Sequence, residues 1–279
     1  MMFYFGFMKW IYFLMAVVCT ASVHAQKKMQ VPAPLDTLTP QQIKRKSGIG
    51  VILYDVSPYK VINAKQRWVG STRETEGGFL SEFLSTVRDV KDRIKEKKSF
   101  KLVSTANDTA VINVAITTVL QFEQYKRGLL GNRYESTRYD GGYVTWIAGI
   151  ETKDTSQHWL LTVFQEEKVG IVFNKTTPLQ ATLRNGDEEL EVQSVQFYDN
   201  GKKAWDILGF VIYEKGVPLA AVQFRGDNPL KNHLQNYFWL SPQLTAERQL
   251  LFTAILTSML DIGQDSNFTS VEQRGDFRN

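Results

Sequence analysis

From Leu250 to Leu260 this chain carries no charge. Leu250, Leu251, Phe252, Ala254, Ile255, Leu256, Met259, Leu260 and Ile262 would surround a helix axis instead of lining one side of it. A helix that is apolar all round has to be enclosed, because no side of it can face water. It is too short to span a bilayer, which takes about 20 apolar residues. Its cap is expected at Ser241, with Pro242 in the first helical position and Gly263 closing the C-terminal end. The simplest host is a sheet of the same chain curled around it. A partner protein or a membrane surface is the alternative host, since exposed apolar patches mark interaction sites.

The preceding region supplies such a sheet. From Ser99 to about Tyr237 the apolar residues recur every second position. Ile112, Val114, Ile116, Leu120 and Phe122 alternate with Asn113, Ala115, Thr117, Gln121 and Glu123, and Val144, Trp146, Ala148 and Ile150 repeat the pattern. Period two describes strands with one buried face. Turn residues punctuate the region at Asp140-Gly141-Gly142, Asn185-Gly186, Asn200-Gly201 and Lys215-Gly216. Asn-Gly between alternating segments is a strong hairpin cue, because type I′ turns need positive φ. Successive hairpins imply an antiparallel meander and not βαβ units.

Strand character begins earlier, at Ile49 to Tyr54. Between them, Leu80, Phe83, Leu84, Val87, Val90 and Ile94 recur at three- and four-residue steps, which predicts an amphipathic helix over residues 79–97. Asp89 and Arg93 would then form an i,i+4 ion pair on its polar face. The expected fold class is α+β: an antiparallel β-barrel or deep sandwich enclosing the apolar C-terminal helix, plus that amphipathic helix. The expected organisation is a signal peptide over 1–25, a flexible tether over 26–47, one β-rich domain over 48–263 and a tail over 264–279. Pro32, Pro34 and Pro40 and the weak periodicity mark the tether, which reads as a disordered N-terminus or else as a spacer or a strand that docks elsewhere.

The first residues read as an export leader. Lys9 precedes a compact apolar run, Trp10 to Val18, and Val23-His24-Ala25 offers small residues at a cleavage site before Gln26. Cleavage after Ala25 would place the protein in the periplasm or outside the cell. An uncleaved anchor, or a lipoprotein acylated at Cys19, competes with this reading. Cys19 is the single cysteine, so a mature chain would hold no disulfide, thiolate nucleophile or cysteine-ligated metal. The chain holds 33 basic and 29 acidic residues, and removing Lys9 with the leader leaves a net charge of +3. That balance gives no argument for nucleic acid. Basic runs at Lys44-Arg45-Lys46 and Lys95 to Lys98 read as a solvated linker and a helix end, or else as contacts for anionic headgroups.

Chemistry is sparse. Beyond the leader only His158 and His233 could act as the base of a Ser-His-Asp system. His158 stands beside Trp159 at a strand start, where a packing or surface role is expected. Arg225, Asp227, Asn228 and His233 share one segment and form the best polar binding-site candidate. No G-x-S-x-G elbow, H-E-x-x-H pair or Gly-rich phosphate loop occurs. No cofactor, catalytic residue or metal site is therefore assigned. The paired carboxylates Glu166-Glu167 and Asp187-Glu188-Glu189 are expected at hairpin turns, and the aromatics Tyr198, Trp205, Tyr213, Tyr237, Phe238 and Trp239 are expected in the core rather than as a carbohydrate platform.

The stretch Trp205 to Phe224, then Phe238-Trp239-Leu240-Ser241-Pro242, then the apolar helix, resembles the end of the tubby C-terminal-like fold, which includes scramblase and LURP-one-related proteins. The resemblance covers about residues 205–262. It implies a closed antiparallel barrel threaded by an apolar helix near the C-terminus, and a non-catalytic module that binds lipid in some members. No basic headgroup motif of that family is present to carry over, and the export leader and the expected helix over 79–97 depart from it. Together these readings give an exported, non-catalytic envelope protein binding a partner protein, lipid or glycan. It would not be an integral membrane protein once the leader is removed. The alternative is a periplasmic hydrolase with a polar site near Arg225 to His233.

Overall fold

The computed structural model describes residues 28–48, 51–76, 87–127, 134–152, 158–168, 180–186, 188–204, 207–224 and 236–264. Twelve strands form a closed antiparallel barrel. They are β1 (Gln41–Gly48), β2 (Val51–Val56), β3 (Tyr59–Glu76), β4 (Val87–Val103), β5 (Thr109–Arg127) and β6 (Tyr134–Thr152). The second half comprises β7 (His158–Lys168), β8 (Gln180–Asn185), β9 (Glu188–Val195), β10 (Gly209–Glu214), β11 (Val217–Gln223) and β12 (Asn236–Leu240). Each strand pairs with its neighbour in sequence, and β12 closes the ring on β1 through Gln42 opposite Tyr237. One helix follows, α1 (Ala246–Gln264).

The two-residue period becomes the inside and outside of this wall. On β5, Ile112, Val114 and Ile116 are buried while Val111, Asn113 and Ala115 are exposed. Antiparallel partners share a face, so Ile116 lies beside Trp146, and Trp146 beside Val163, all inward and buried. The hairpin cue at Lys215-Gly216 is the β10–β11 turn, with φ of 51° and 80°. Asp140-Gly141-Gly142 is not a turn. It lies within β6, where Asp140 is the extra residue of a β-bulge: Gly141 (φ 121°) stands opposite Gln121 and Tyr139 opposite Phe122.

Every residue of α1 from Leu250 to Leu260 is buried. The helix touches β5 and β6 and also β11 and β12. These pairs face each other across the ring, with β7 to β10 between them on one side and β1 to β4 on the other. Its few polar side chains are satisfied within the helix. The Thr253 hydroxyl donates to the Gln249 carbonyl at 2.6 Å, Thr257 to Thr253 at 2.7 Å and Ser258 to Ile255 at 2.6 Å. This removes the cost of burying a hydroxyl without a partner. The cap is Thr245, whose hydroxyl accepts from the Arg248 amide at 3.3 Å. Ser241 instead closes a turn one step earlier, its carbonyl accepting from Leu244, so the expected cap is displaced by four residues. Gly263 falls inside the last helical turn and does not end it.

Two sequence expectations are corrected. Residues 87–97 belong to β4 and not to an amphipathic helix, and their pairing with β5 is continuous from Val87 to Val103. The three- and four-residue spacing of Val87, Val90 and Ile94 is overridden by strand pairing on both sides; residues 79–86 lie outside the described residues. The segment expected to be a tether, 26–47, is built into the fold from Lys28 onward. Met29 pairs with Tyr198, the Gln30 amide donates to the Phe197 carbonyl at 2.8 Å, and the Met29 amide donates to Gln223 Oε1 at 2.8 Å. Met29 and Leu35 are buried on the outer face of the wall with Ala204, Leu208, Val211, Ala221 and Trp239. β10 and β11 are therefore buried on both faces, which is why their sequences read as continuous apolar runs. The leader 1–25 and the tail beyond Gln264 lie outside the described residues.

Gly209 sits where this strap crosses the wall. A Cβ there would collide with the backbone carbonyl of Val222 and lie 2.6 Å from the Met29 sulfur. The carbonyl belongs to a paired strand and has no room to move. Gly209→Ala is expected to destabilise the fold by about 3 kcal/mol, read as a lower urea midpoint. An unchanged midpoint would contradict the packing of the strap on β10 and β11.

Candidate functional site

The site expected from sequence, Arg225, Asp227, Asn228 and His233, lies in residues 225–235 between β11 and β12, outside the described residues. Its flanks, Phe224 and Asn236, are buried. His158 opens β7 and is exposed, with Nδ1 3.7 Å from Glu151 Oε1 across the β6–β7 pair. That is a surface position, as one of its two expected roles required. Glu166 and Glu167 are within β7, not at a turn, and Glu188 and Glu189 begin β9. Phe238 and Trp239 are core residues, while Tyr198, Tyr213 and Tyr237 pack at the edge of the outer apolar cluster. Burial pushes the Tyr213 and Tyr237 hydroxyls above their ordinary pKa, with the Glu191 charge adding to the effect at Tyr213. Among the described residues no three His, Cys, Asp or Glu side chains are grouped as a metal site.

Charge is organised in three places. At the start of α1, Arg248 donates to both carboxylate oxygens of Glu214, at 2.7 and 3.4 Å, and lies 3.7 Å from Glu188. The same guanidinium stands 5.7 Å from the centre of the Phe252 ring. This ties the helix to the β10–β11 turn and to β9. The hydrogen bond from Arg248, more than its charge alone, holds the Glu214 carboxyl below the usual range against a smaller effect of burial.

The inner face of β3 and β4 holds the second group. Arg73 is paired with Asp92 in register, with Nε 3.5 Å from Oδ1. Glu96 and Lys98 are half-buried on the same face, and Lys98 Nζ lies 5.2 Å from the centre of the buried Trp146 ring. These groups are neutralised or stacked, so they anchor the wall and offer no proton-transfer pair.

The third group is the outer face of the same strands. Lys91, Arg93, Lys95, Lys97 and Lys101 alternate with the inward residues of β4. On β3, Arg67 lies directly opposite Lys97 and Lys65 opposite Ser99, so they share that outer face. Like charges directly opposite each other oppose folding. Sequence reasoning missed this row because the segment was read as a helix. In a helix Asp89 and Arg93 would pair; on a strand they stand roughly 13 Å apart. The alternation Lys91-x-Arg93-x-Lys95-x-Lys97 was the signal that could have found it. Compared with known proteins, the chain matches no family model, no curated protein and no solved structure.

Two outcomes follow from these contacts. The Glu214 pKa is lower in the folded protein than in the unfolded chain, so the stabilisation it carries is present above the unfolded value. It is lost as pH falls through the folded value. Arg248→Met is expected to cost about 1 kcal/mol at neutral pH, since the pair is about a third exposed and screened. It is also expected to reduce the loss of stability below the ordinary carboxylate range. Urea midpoints at neutral and acid pH decide, and parallel profiles for both proteins would refute the assignment. His158→Gln is expected to leave stability within about 0.5 kcal/mol of wild type; a larger drop in the same titration would assign the residue a buried role.

Proposed function

We propose that this is an exported, non-catalytic envelope protein whose barrel closes around its own C-terminal helix and presents its outer wall to a partner protein, lipid or glycan. The observation that carries this reading is the burial of α1. Leu250 to Leu260 occupy space between opposite walls, where an open barrel would hold a small ligand. With that part of the interior filled, binding falls to the wall's outer face and the loops. The architecture also supports the resemblance to the tubby C-terminal-like fold, in which an apolar helix threads a closed antiparallel barrel.

The faces of the wall support a water-exposed setting. A membrane-spanning barrel carries apolar side chains outward and polar ones inward. Here Lys95, Lys97, Asn113 and Glu151 face out, while Ile112, Val114, Trp146 and Ile150 face in. Export rests on the leader, in which Lys9 precedes the apolar run Trp10 to Val18 and Val23-His24-Ala25 offers a cleavage site.

Fractionation of native cells, followed by intact-mass analysis, tests the location. The expected species begins at Gln26 and is recovered with the envelope. Crosslinking in intact cells is expected to join it to an envelope component. Recovery of chains that still begin at either Met1 or Met8, in the soluble cytoplasm, would overturn the reading.

A further inference from the structure

We propose that the outer face of β3 and β4 is a binding site for an acidic glycan laid along the strands. This rests on the outer-wall reading above and names the partner.

The geometry is a row. Successive outward residues on a strand are about 6.7 Å apart, so Lys91 to Lys101 spans roughly 33 Å. Lys91, Arg93, Lys95, Lys97 and Lys101 line it, and Arg67 and Lys65 on β3 stand beside its central part. The adjoining outward positions of β5, namely Val111, Asn113, Ala115 and Thr117, carry no acid. Among the described residues acidic groups enter at the ends: Glu74 opposite Lys91, Asp89 two residues before Lys91 with Glu123 opposite it, Glu151 opposite Val111, and Asp55 opposite Lys60. Across the barrel the pattern reverses: Glu189 and Glu191 are exposed on β9. The chain is near neutral as a whole, so this field is local and directional.

A line of cations on a convex wall complements a linear polyanion, whose successive carboxylates or sulfates meet successive Lys and Arg side chains. A flat bilayer would touch only the crest of the wall and would call for aromatic or long apolar side chains to insert. Among the described residues the exposed large apolar side chains of this wall are Ile62, Val69, Val111 and Ile147, none of them aromatic. Aliphatic side chains at those exposed positions also favour a glycan over single-stranded nucleic acid, which is held by stacking as well as charge. The like-charge pair Arg67 and Lys97 opposes folding in the free protein, and an anion between the two side chains would relieve it.

The test uses purified protein and a heparin dodecasaccharide as the probe, with phosphatidylglycerol-containing vesicles and a single-stranded oligonucleotide as competitors. Binding is expected at low salt, to weaken steeply as salt is raised, and to be favoured over both competitors. Lys95→Gln/Lys97→Gln/Lys101→Gln is expected to lose on the order of a hundredfold in affinity, from roughly fivefold per cation beside a polyanion. All three side chains point outward, and an unchanged urea midpoint establishes that the variant is folded. A second variant keeps the net charge but breaks the row: Lys95→Gln/Lys97→Gln with Thr182→Lys/Gln193→Lys on the exposed faces of β8 and β9. It is expected to bind as weakly as Lys95→Gln/Lys97→Gln alone. Wild-type affinity in the relocated variant, preference for either competitor, or no heparin binding at low salt would overturn the proposal. A protein that fails these tests yet still crosslinks to an envelope component leaves the outer-wall reading standing and removes only the glycan.

Discussion

The fold depends on the need to hide a helix that has no polar side. Leu250 to Leu260 cannot face water, and burying each large apolar side chain contributes about 2 kcal/mol. A single sheet face would cover one side of such a helix. The strands of this chain close into a ring, which removes exposed strand edges, themselves aggregation hazards, and the helix touches β5, β6, β11 and β12 of it. The hydroxyls that remain, on Thr253, Thr257 and Ser258, turn back to carbonyls of their own helix, and Thr253 also meets the buried Tyr59 of the wall through a side-chain hydrogen bond. The inward face of the barrel is then free to be almost wholly apolar where it meets the helix.

Filling the interior has a consequence for the exterior. The wall at β10 and β11 is roofed by Met29, Leu35 and their neighbours, and so is apolar on both faces. That side of the barrel is spent on stability. The side of β3 to β5 carries no such cover among the described residues, and its outward positions mix Lys and Arg with small or polar residues and the exposed Ile62, Val69 and Val111. Structure and surface are thus divided around the ring: one arc is packed on both faces, and another holds the cationic row.

Much of this was legible in the residues. The two-residue period of Ile112 to Phe122 and the Lys215-Gly216 turn pointed to an antiparallel sheet, and the apolar run from Leu250 to a C-terminal helix; the sheet closes as a barrel and the helix follows it. Three features were misread for physical reasons. Val87, Val90 and Ile94 have helical spacing, and Lys, Glu and Arg are good helix formers, yet β3 and β5 impose strand pairing on that segment. Pro32, Pro34 and Pro40 do mark irregular chain, but irregular chain can still be nailed down, as Met29 and Leu35 are by apolar contacts distant in sequence. Asp140-Gly141-Gly142 has turn composition, but Gly141 uses its positive φ to accommodate a bulge in a long strand. The polar segment from Arg225 to His233 lies outside the described residues, so sequence remains the sole account of it. The cationic row was invisible until the segment was placed on a strand, because its meaning lies in which residues face the same way.

β4 therefore joins two kinds of electrostatics in one strand. Its inward charges are handled locally: Asp92 meets Arg73, and Lys98 rests over Trp146. Those groups are partly desolvated, where an unpaired charge would be costly. Its outward charges are set beside one another, Lys97 against Arg67, where water and salt make repulsion tolerable. A wall selected for stability alone would gain by alternating signs on its outer face as it does within. Repulsion kept on the solvent side, while the inward charges are paired or stacked, is the arrangement on which the proposed anionic-glycan site rests.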